Sequence, residues 1–225
     1  MPGRTILLIS GKIYHVFNKG LTGQPIFTNK RDYQRFFETI IFYQNKSTPM
    51  RYSKFLTLSG EDRKKILATL IKRHDFSIEL ICYCLMPNHF HLLLRQNEDN
   101  GISKFTGDLT NSYTRYFNVK NKRHGPLFQG KFKAVRIEDD DQLLHVSRYI
   151  HLNPYTSYVV KNIKEIAAYP YSSFSEYLKQ TKDSSINSEA VLTNFKTKKS
   201  FMKFTFNRAD YQKELGNIRH LALEK

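Results

Sequence analysis

Residues 85–95 read "LMPNHFHLLLR", and two imidazoles one residue apart in so apolar a run call for a chemical explanation. Successive side chains of a strand point to opposite faces, so His89, His91 and Leu93 share one face and Phe90, Leu92 and Leu94 the other. The aliphatic set can pack on a core. The imidazoles then stand about 7 Å apart along one face by strand rise, near enough to converge on one cation. A lone strand histidine is ordinarily structural, whereas this pair, directly after a Pro–Asn break, favours ligation. Upstream, "CYCLMPNHFH" also offers a C-x-C before the H-x-H, but that spacing matches no common zinc module. Cys82 and Cys84 sit among Ile78, Leu80, Tyr83 and Leu85, where cysteine serves as a small buried hydrophobe, and that is the better reading.

A second set lies in "DDDQLLHVSRYIHLNP", residues 139–154. Helical spacing puts His145, Tyr149 and Asn153 in one row, with Leu143, Val146 and Ile150 as the adjacent apolar row that docks on a sheet. Such a helix can hold a phenol and an amide oxygen over a site. Spacing alone does not single out Tyr149 among 14 tyrosines.

The elements that must carry these groups follow from periodicity. Residues 5–19 read as a first strand rather than a signal peptide. Residues 29–46 read as a helix capped by Asn29, with Tyr33, Phe36, Phe37, Ile40 and Ile41 at helical spacing. Residues 47–60 form a loop or hairpin insertion, and 60–75 a helix facing inward through Ile66, Leu67, Leu70 and Ile71. Strands follow at 76–86 and 89–95, parted at Pro87, which implies a bulge, an edge or a tight turn. A helix over 101–122, strands over 125–137 with a kink at Gly130, and a helix over 138–153 complete the pattern. Asp139 and Gln142 space like a capping box, and Pro154 is expected to end that last helix at Asn153. This order suggests an α+β sandwich whose helices cover an antiparallel sheet.

The formal charge of +16, with 36 Lys and Arg against 20 Asp and Glu, points to a polyanionic partner. Basic and aromatic residues interleave in "SYTRYFNVKNKRHGPLFQGKFKAVR" (112–136), where rings could stack on unpaired bases while cations follow phosphates. No run of eighteen apolar residues exists to span a membrane, and two cysteines make no disulfide framework, so a reducing cytoplasm is expected.

The ordered motifs "YHVFNKGLTGQPIF", "YCLMPNHFHLLLR", "GPLFQGKFKAV", "RYIHLNP" and "YPYSSFSEY" closely resemble the single-tyrosine HUH transposases, most of all the branch called REP-associated tyrosine transposases. The resemblance covers roughly residues 10–178. It implies the HUH endonuclease fold, a ferredoxin-like antiparallel sheet flanked by α-helices. It also implies cutting and rejoining of single-stranded DNA beside a hairpin through a 5′-phosphotyrosine intermediate. By motif match His89 and His91 would be metal ligands, Asn153 would complete the metal site and Tyr149 would be the nucleophile. Mg²⁺ or Mn²⁺ is the expected ion. Lys131, Lys133 and Arg136, with Arg115, Lys122 and Arg123, are the DNA-contact candidates. His145, one turn before Tyr149, is the candidate base, set against an ordinary surface histidine. The chain divides into a transposase domain over 1–180, with the insertion near 47–75, and a C-terminal extension over 181–225. Whether Tyr149 acts within its own chain or across a homodimer stays open.

Two rivals use the same residues differently. A non-cleaving single-stranded nucleic-acid binder, or a domesticated transposase, would keep the sheet and the basic surface. No RNP-type run is present, and His89, His91 and Tyr149 are all retained. A replication initiator or relaxase would share the chemistry. One tyrosine in "RYIHLNP" and no helicase segment favour the transposase.

Overall fold

The computed structural model describes residues 7–179, 184–207 and 209–210. Its elements follow in chain order as β1 (Ile13–Lys19), α1 (Lys30–Tyr43), α2 (Tyr52–Phe55), α3 (Gly60–Arg73), β2 (Ile78–Met86) and β3 (His89–Gln96). Then come α4 (Gly101–Lys120), β4 (Lys133–Arg136), α5 (Asp140–Thr156), α6 (Phe174–Lys179), α7 (Glu189–Leu192) and α8 (Lys198–Phe206). The four strands form one antiparallel sheet in the order β2-β3-β1-β4. This is the split βαββαβ arrangement of a ferredoxin-like sheet, in which β3 lies between β2 and β1. Among the described residues no helix is long and apolar enough to cross a membrane.

Helix α1 starts where Asn29 accepts a hydrogen bond from the Asp32 amide, as the cap signal predicts. Its Tyr33, Phe36 and Ile40 face the sheet, while Ile41 and Phe42 turn to the opposite side. That second stripe, with Tyr52, Phe55, Leu67 and Leu70, builds a satellite core from the 47–75 segment. The segment holds a short helix, α2, in addition to the expected α3, and Ile66 and Ile71 flank the cluster, partly buried. Helix α4 packs beside α1, burying Ile102, Phe105, Leu109, Tyr113 and Phe117 at steps of three and four. Helix α5 covers the other face of the sheet, against β2 and β3.

Three sequence expectations need correction. The first strand begins at Ile13, and residues 7–12 are not extended in the sheet; residues 5 and 6 of that expectation lie outside the described residues. Residues 125–137 yield one four-residue strand and an isolated bridge between Gly20 and Phe128, with Gly130 in the left-handed region at φ 63°. Helix α5 runs through Pro154 to Thr156 instead of stopping at Asn153. Leu152, Asn153 and Pro154 are all buried, and their packing overrides the local bias before proline. The Pro154 carbonyl then accepts from the amides of Val159 and Val160, which closes the helix end.

The stretch "YPYSSFSEY" finds its reason at the edge of the sheet. An unpaired edge is a template for aggregation, and residues 169–177 cover that of β2. Tyr171 O accepts from the Leu85 amide at 2.8 Å and the Ser173 amide donates to Tyr83 O at 3.0 Å. The hydroxyls of Tyr169 and Tyr177 donate to the carbonyls of Leu85 and Ile81. Residues 184–206 continue the same core through Ile186, Val191, Leu192 and Phe201, with α8 against α5.

Candidate active site

Strand β3 sorts its side chains as period two demands. Phe90 packs on Phe36 of α1 with ring centres 5.2 Å apart, while His89 and His91 rise toward α5. The tight turn Pro87–Asn88 fixes where β3 begins. Its carbonyls accept from Ile26 and Phe27 (Pro87) and from Gly20 (Asn88). A side chain at Gly20 would have its Cβ 2.1 Å from the Gln24 carbonyl oxygen, so only glycine fits this close approach. Asn88 is locked by donation from Nδ2 to Gly23 O, and its Oδ1 lies 2.7 Å from His89 Nδ1.

Helix α5 brings the other half of the site. Asp139 caps it by accepting from the Gln142 amide, while Gln142 reaches back to the Glu138 amide, one residue before the box position. Two turns in, the half-buried Tyr149 sets its ring edge-on to His91 at 5.4 Å between centres. One turn further, the buried Asn153 places Oδ1 3.1 Å from His89 Nε2. The sequence therefore brings His89, His91, Tyr149 and Asn153 to one place. His145 does not join them: four residues turn a helix through slightly more than one turn, and this side chain lies exposed against Arg148 and Phe204. His151, in the same "RYIHLNP", is fully buried against Ser173 and Tyr177, and burial pushes it down to about 3.

A third imidazole at the site was not singled out by sequence. His15 on β1 stands opposite Leu93 and beside His91, with its Nε2 2.9 Å from His91 Nδ1 and the two rings stacked 5.0 Å apart. Tyr149 also meets it edge-on, at 6.0 Å. Alternation in "IYHVFNK" puts His15 on one face of a strand, but only the β1–β3 pairing puts it next to His91. Burial pushes His15 down to about 4. Burial, and then the neighbouring His89 and His15, hold His91 well below the ordinary histidine value, so both rings are neutral near pH 7.

The donor set accommodates a cation. Both ring nitrogens of His89 face amide oxygens, and with its proton on Nδ1, toward the nearer one at 2.7 Å, Nε2 keeps a lone pair. That lone pair faces Asn153 Oδ1, another acceptor, at 3.1 Å, and a positive centre between them satisfies both. Two imidazoles and one amide oxygen form a mixed nitrogen–oxygen set that suits Mn²⁺ or Mg²⁺. Among the described residues no group of three His, Cys, Asp or Glu is arranged for a metal. Cys82 and Cys84 are free, buried thiols raised by burial, as the small-hydrophobe reading expects.

The six basic candidates do not form one patch. Arg115, Lys122 and Arg123 line a cleft of about 530 Å³ at the C-terminal end of α4, with Asn118 and His124. Lys131 is exposed ahead of β4. Lys133 pairs with Phe17, which pairs with His91, so it shares the histidine face. Arg136 pairs with Tyr14 on the opposite face and is bound to Glu138 at 2.7 Å.

Comparison with known proteins fits this architecture. Residues 48–153, which include His89, His91, Tyr149 and Asn153, match the model of the family described as "Transposase IS200 like". A Haemophilus influenzae protein, provisionally named a REP-associated tyrosine transposase, is 29% identical over 114 residues, covering 46% of this chain and 63% of its own. The chain thus spans a little under two thirds of that relative. A solved structure described as a REP-associated tyrosine transposase bound to a REP hairpin superposes with a TM-score of 0.56. It covers 80% of this chain and 87% of its own at 16% identity, a likeness of fold. Residues 48–153, a little under half of this chain, are thus similar to the IS200-like transposases.

Proposed function

We propose that this chain cuts and rejoins single-stranded DNA beside a hairpin, with Tyr149 as nucleophile and His89, His91 and Asn153 holding Mg²⁺ or Mn²⁺. One observation carries the reading: the Tyr149 ring meets His91 at 5.4 Å on the same face where His89 reaches Asn153. The H. influenzae relative's name supports the transposase reading, and the hairpin in the solved relative supports the DNA form.

Tyr149 Oη loses its proton and attacks phosphorus, the bond from phosphorus to the 3′-oxygen breaks, and that oxygen takes up a proton to leave as a 3′-hydroxyl, so the step consumes no net proton. The 5′-phosphate stays on the tyrosine. Attack by a 3′-hydroxyl reverses the step, and the link between phosphorus and oxygen is conserved throughout, so no nucleotide cofactor is required. When bound, the cation neutralises nonbridging oxygens and eases departure of the 3′-oxygen. The chain's own contribution is placement. Edge-on packing against His91 and His15 restricts the phenol, which limits the orientational freedom lost on attack. Lys133, on the same face, offers a cation to the backbone of the bound strand. In this reading His145 is no base, since it is exposed and engaged with Arg148.

The deciding experiment incubates full-length protein with hairpin-flanked single strands and Mn²⁺, then separates covalent adducts under denaturing conditions. Wild type should trap strands through their 5′-phosphate, and Tyr149→Phe should trap none while binding hairpins almost as well. An adduct of undiminished yield in Tyr149→Phe would assign the nucleophile elsewhere. Binding without any adduct in wild type would favour the non-cleaving reading.

A further inference from the structure

His15 shares the site face yet has no part in the reaction as written above. From the geometry we propose that His15 is a positioning residue: its Nε2 accepts the Nδ1 proton of His91 and so fixes the tautomer in which His91 presents Nε2 to the site. The inference rests on the functional reading above, in which His91 is a ligand.

A hydrogen bond between two ring nitrogens holds one proton, so one nitrogen donates and the other accepts. His15 Nε2 and His91 Nδ1 stand 2.9 Å apart, and this contact has two possible senses. If His91 donates from Nδ1, its Nε2 keeps a lone pair. If His15 donates, His91 carries its proton on Nε2 and can bind no cation there. The functional reading above requires the first sense, and the neighbouring imidazole offers a parallel. His89 Nδ1 lies 2.7 Å from Asn88 Oδ1, an oxygen that can only accept, and Asn88 is held in that orientation through Gly23. With its proton on this shorter contact, His89 turns the Nε2 lone pair toward Asn153, 3.1 Å away. With His91 donating to His15, both imidazoles of the H-x-H pair are fixed alike, each by an acceptor on Nδ1.

The fold places His15 for this role. Register sets it opposite Leu93, one diagonal step from His91, on the central pair of strands where slippage would cost the whole core. The rings stack with 28° between their planes, and Tyr149 packs its edge on both. Partners that take the second N–H of a ligating histidine orient the ring and raise its basicity, and losing one typically weakens metal binding roughly 10- to 100-fold.

Two readouts test this on the full chain. In metal-free protein labelled with ¹⁵N-histidine, long-range ¹H–¹⁵N spectra report which nitrogen of His91 bears the proton. A protonated Nδ1 with a pyridine-type Nε2 is expected, and the reverse pattern overturns the proposal. In the second, Mn²⁺ binding is followed by electron paramagnetic resonance. His15→Leu should bind roughly 10- to 100-fold more weakly, and His15→Gln, whose amide oxygen still accepts, should stay close to wild type. Unchanged affinity in His15→Leu, or equal loss in both variants, also overturns it. Should wild type bind no Mn²⁺, the functional reading fails at its metal, and the His91 tautomer alone then decides the role of His15.

Discussion

The two faces of the central sheet are made by the same strands and behave differently. Toward α1 and α4, β1 and β3 present Tyr14, Val16, Phe90, Leu92 and Leu94, every one of them fully buried. Toward α5 they present His15, Phe17, His89, His91 and Leu93, of which His91 and Leu93 are buried and the other three keep contact with solvent. A strand's period of two lets one face be spent on stability and the other on chemistry, with no separate scaffold between them. Loss of a side chain should therefore have opposite consequences for neighbours in sequence.

The largest expected contrast is at Phe90 and His91. Phe90→Ala opens a cavity between β3, Phe36 and Phe128 and should cost about 3–5 kcal/mol, read as a lower urea midpoint at unchanged slope. His91→Ala should cost about 1 kcal/mol or less, yet, if His91 is the ligand proposed above, lower adduct formation at least about a hundredfold. If His91→Ala proves the less stable of the two, the division between faces is wrong.

The same division explains what the sequence disclosed. Period two in "HFHLLLR" and helical steps in α1 and α5 are local signals, and they placed the H-x-H pair, Tyr149 and Asn153 correctly relative to their own elements. His15 is separated from His91 by 76 residues and adjoins it only through β1–β3 register, which no local period encodes. Pro154 misled for a related reason: burial of the last turn of α5 outweighs a dipeptide preference. The role of "YPYSSFSEY" as an edge cover was hidden too, because its hydrogen bonds run to strand β2, more than 80 residues earlier. The six basic residues read as one cluster in sequence, but alternation in β4 and the turn after α4 send them to different surfaces.

A smaller effect tests whether place, more than residue type, makes a histidine functional. His151 is held neutral at about 3 by burial, against about 6.5 for the unfolded chain. Between those values the unfolded state binds more protons, so stability falls as the pH is lowered from about 6.5 toward 3. By pH 4.5, two units below the unfolded value, the cost from this one group is about 3 kcal/mol. His15, pushed down to about 4, acts in the same direction over the upper part of that window. His151→Gln cannot titrate and can still pair with the Ser173 hydroxyl, so urea titrations at pH 7.5 and 4.5 should differ less for it than for wild type. Its adduct yield at neutral pH should stay near wild type. A matching loss of adduct would instead bring His151 into the site.

The smallest effect is expected on β4, where the two faces meet the outside of the molecule. Lys133 and Arg136 lie three residues apart, carry the same charge and were expected to do the same thing. Pairing puts Lys133 opposite Phe17 on the histidine face, exposed and able to reach a phosphate. Arg136 stands opposite Tyr14 on the other face, and Glu138 at 2.7 Å already neutralises much of its charge. Each phosphate contact on a single strand adds about 0.7 to the slope of log affinity against log salt. Hairpin binding by Lys133→Ala, titrated between 50 and 200 mM salt, about the range over which such contacts fade, should lose about that much slope. Arg136→Ala should lose none. Equal losses would mean that the strand wraps the edge of the sheet and touches both faces. Loss confined to Arg136 would put the DNA on the α1 and α4 side and leave the histidine face without its substrate.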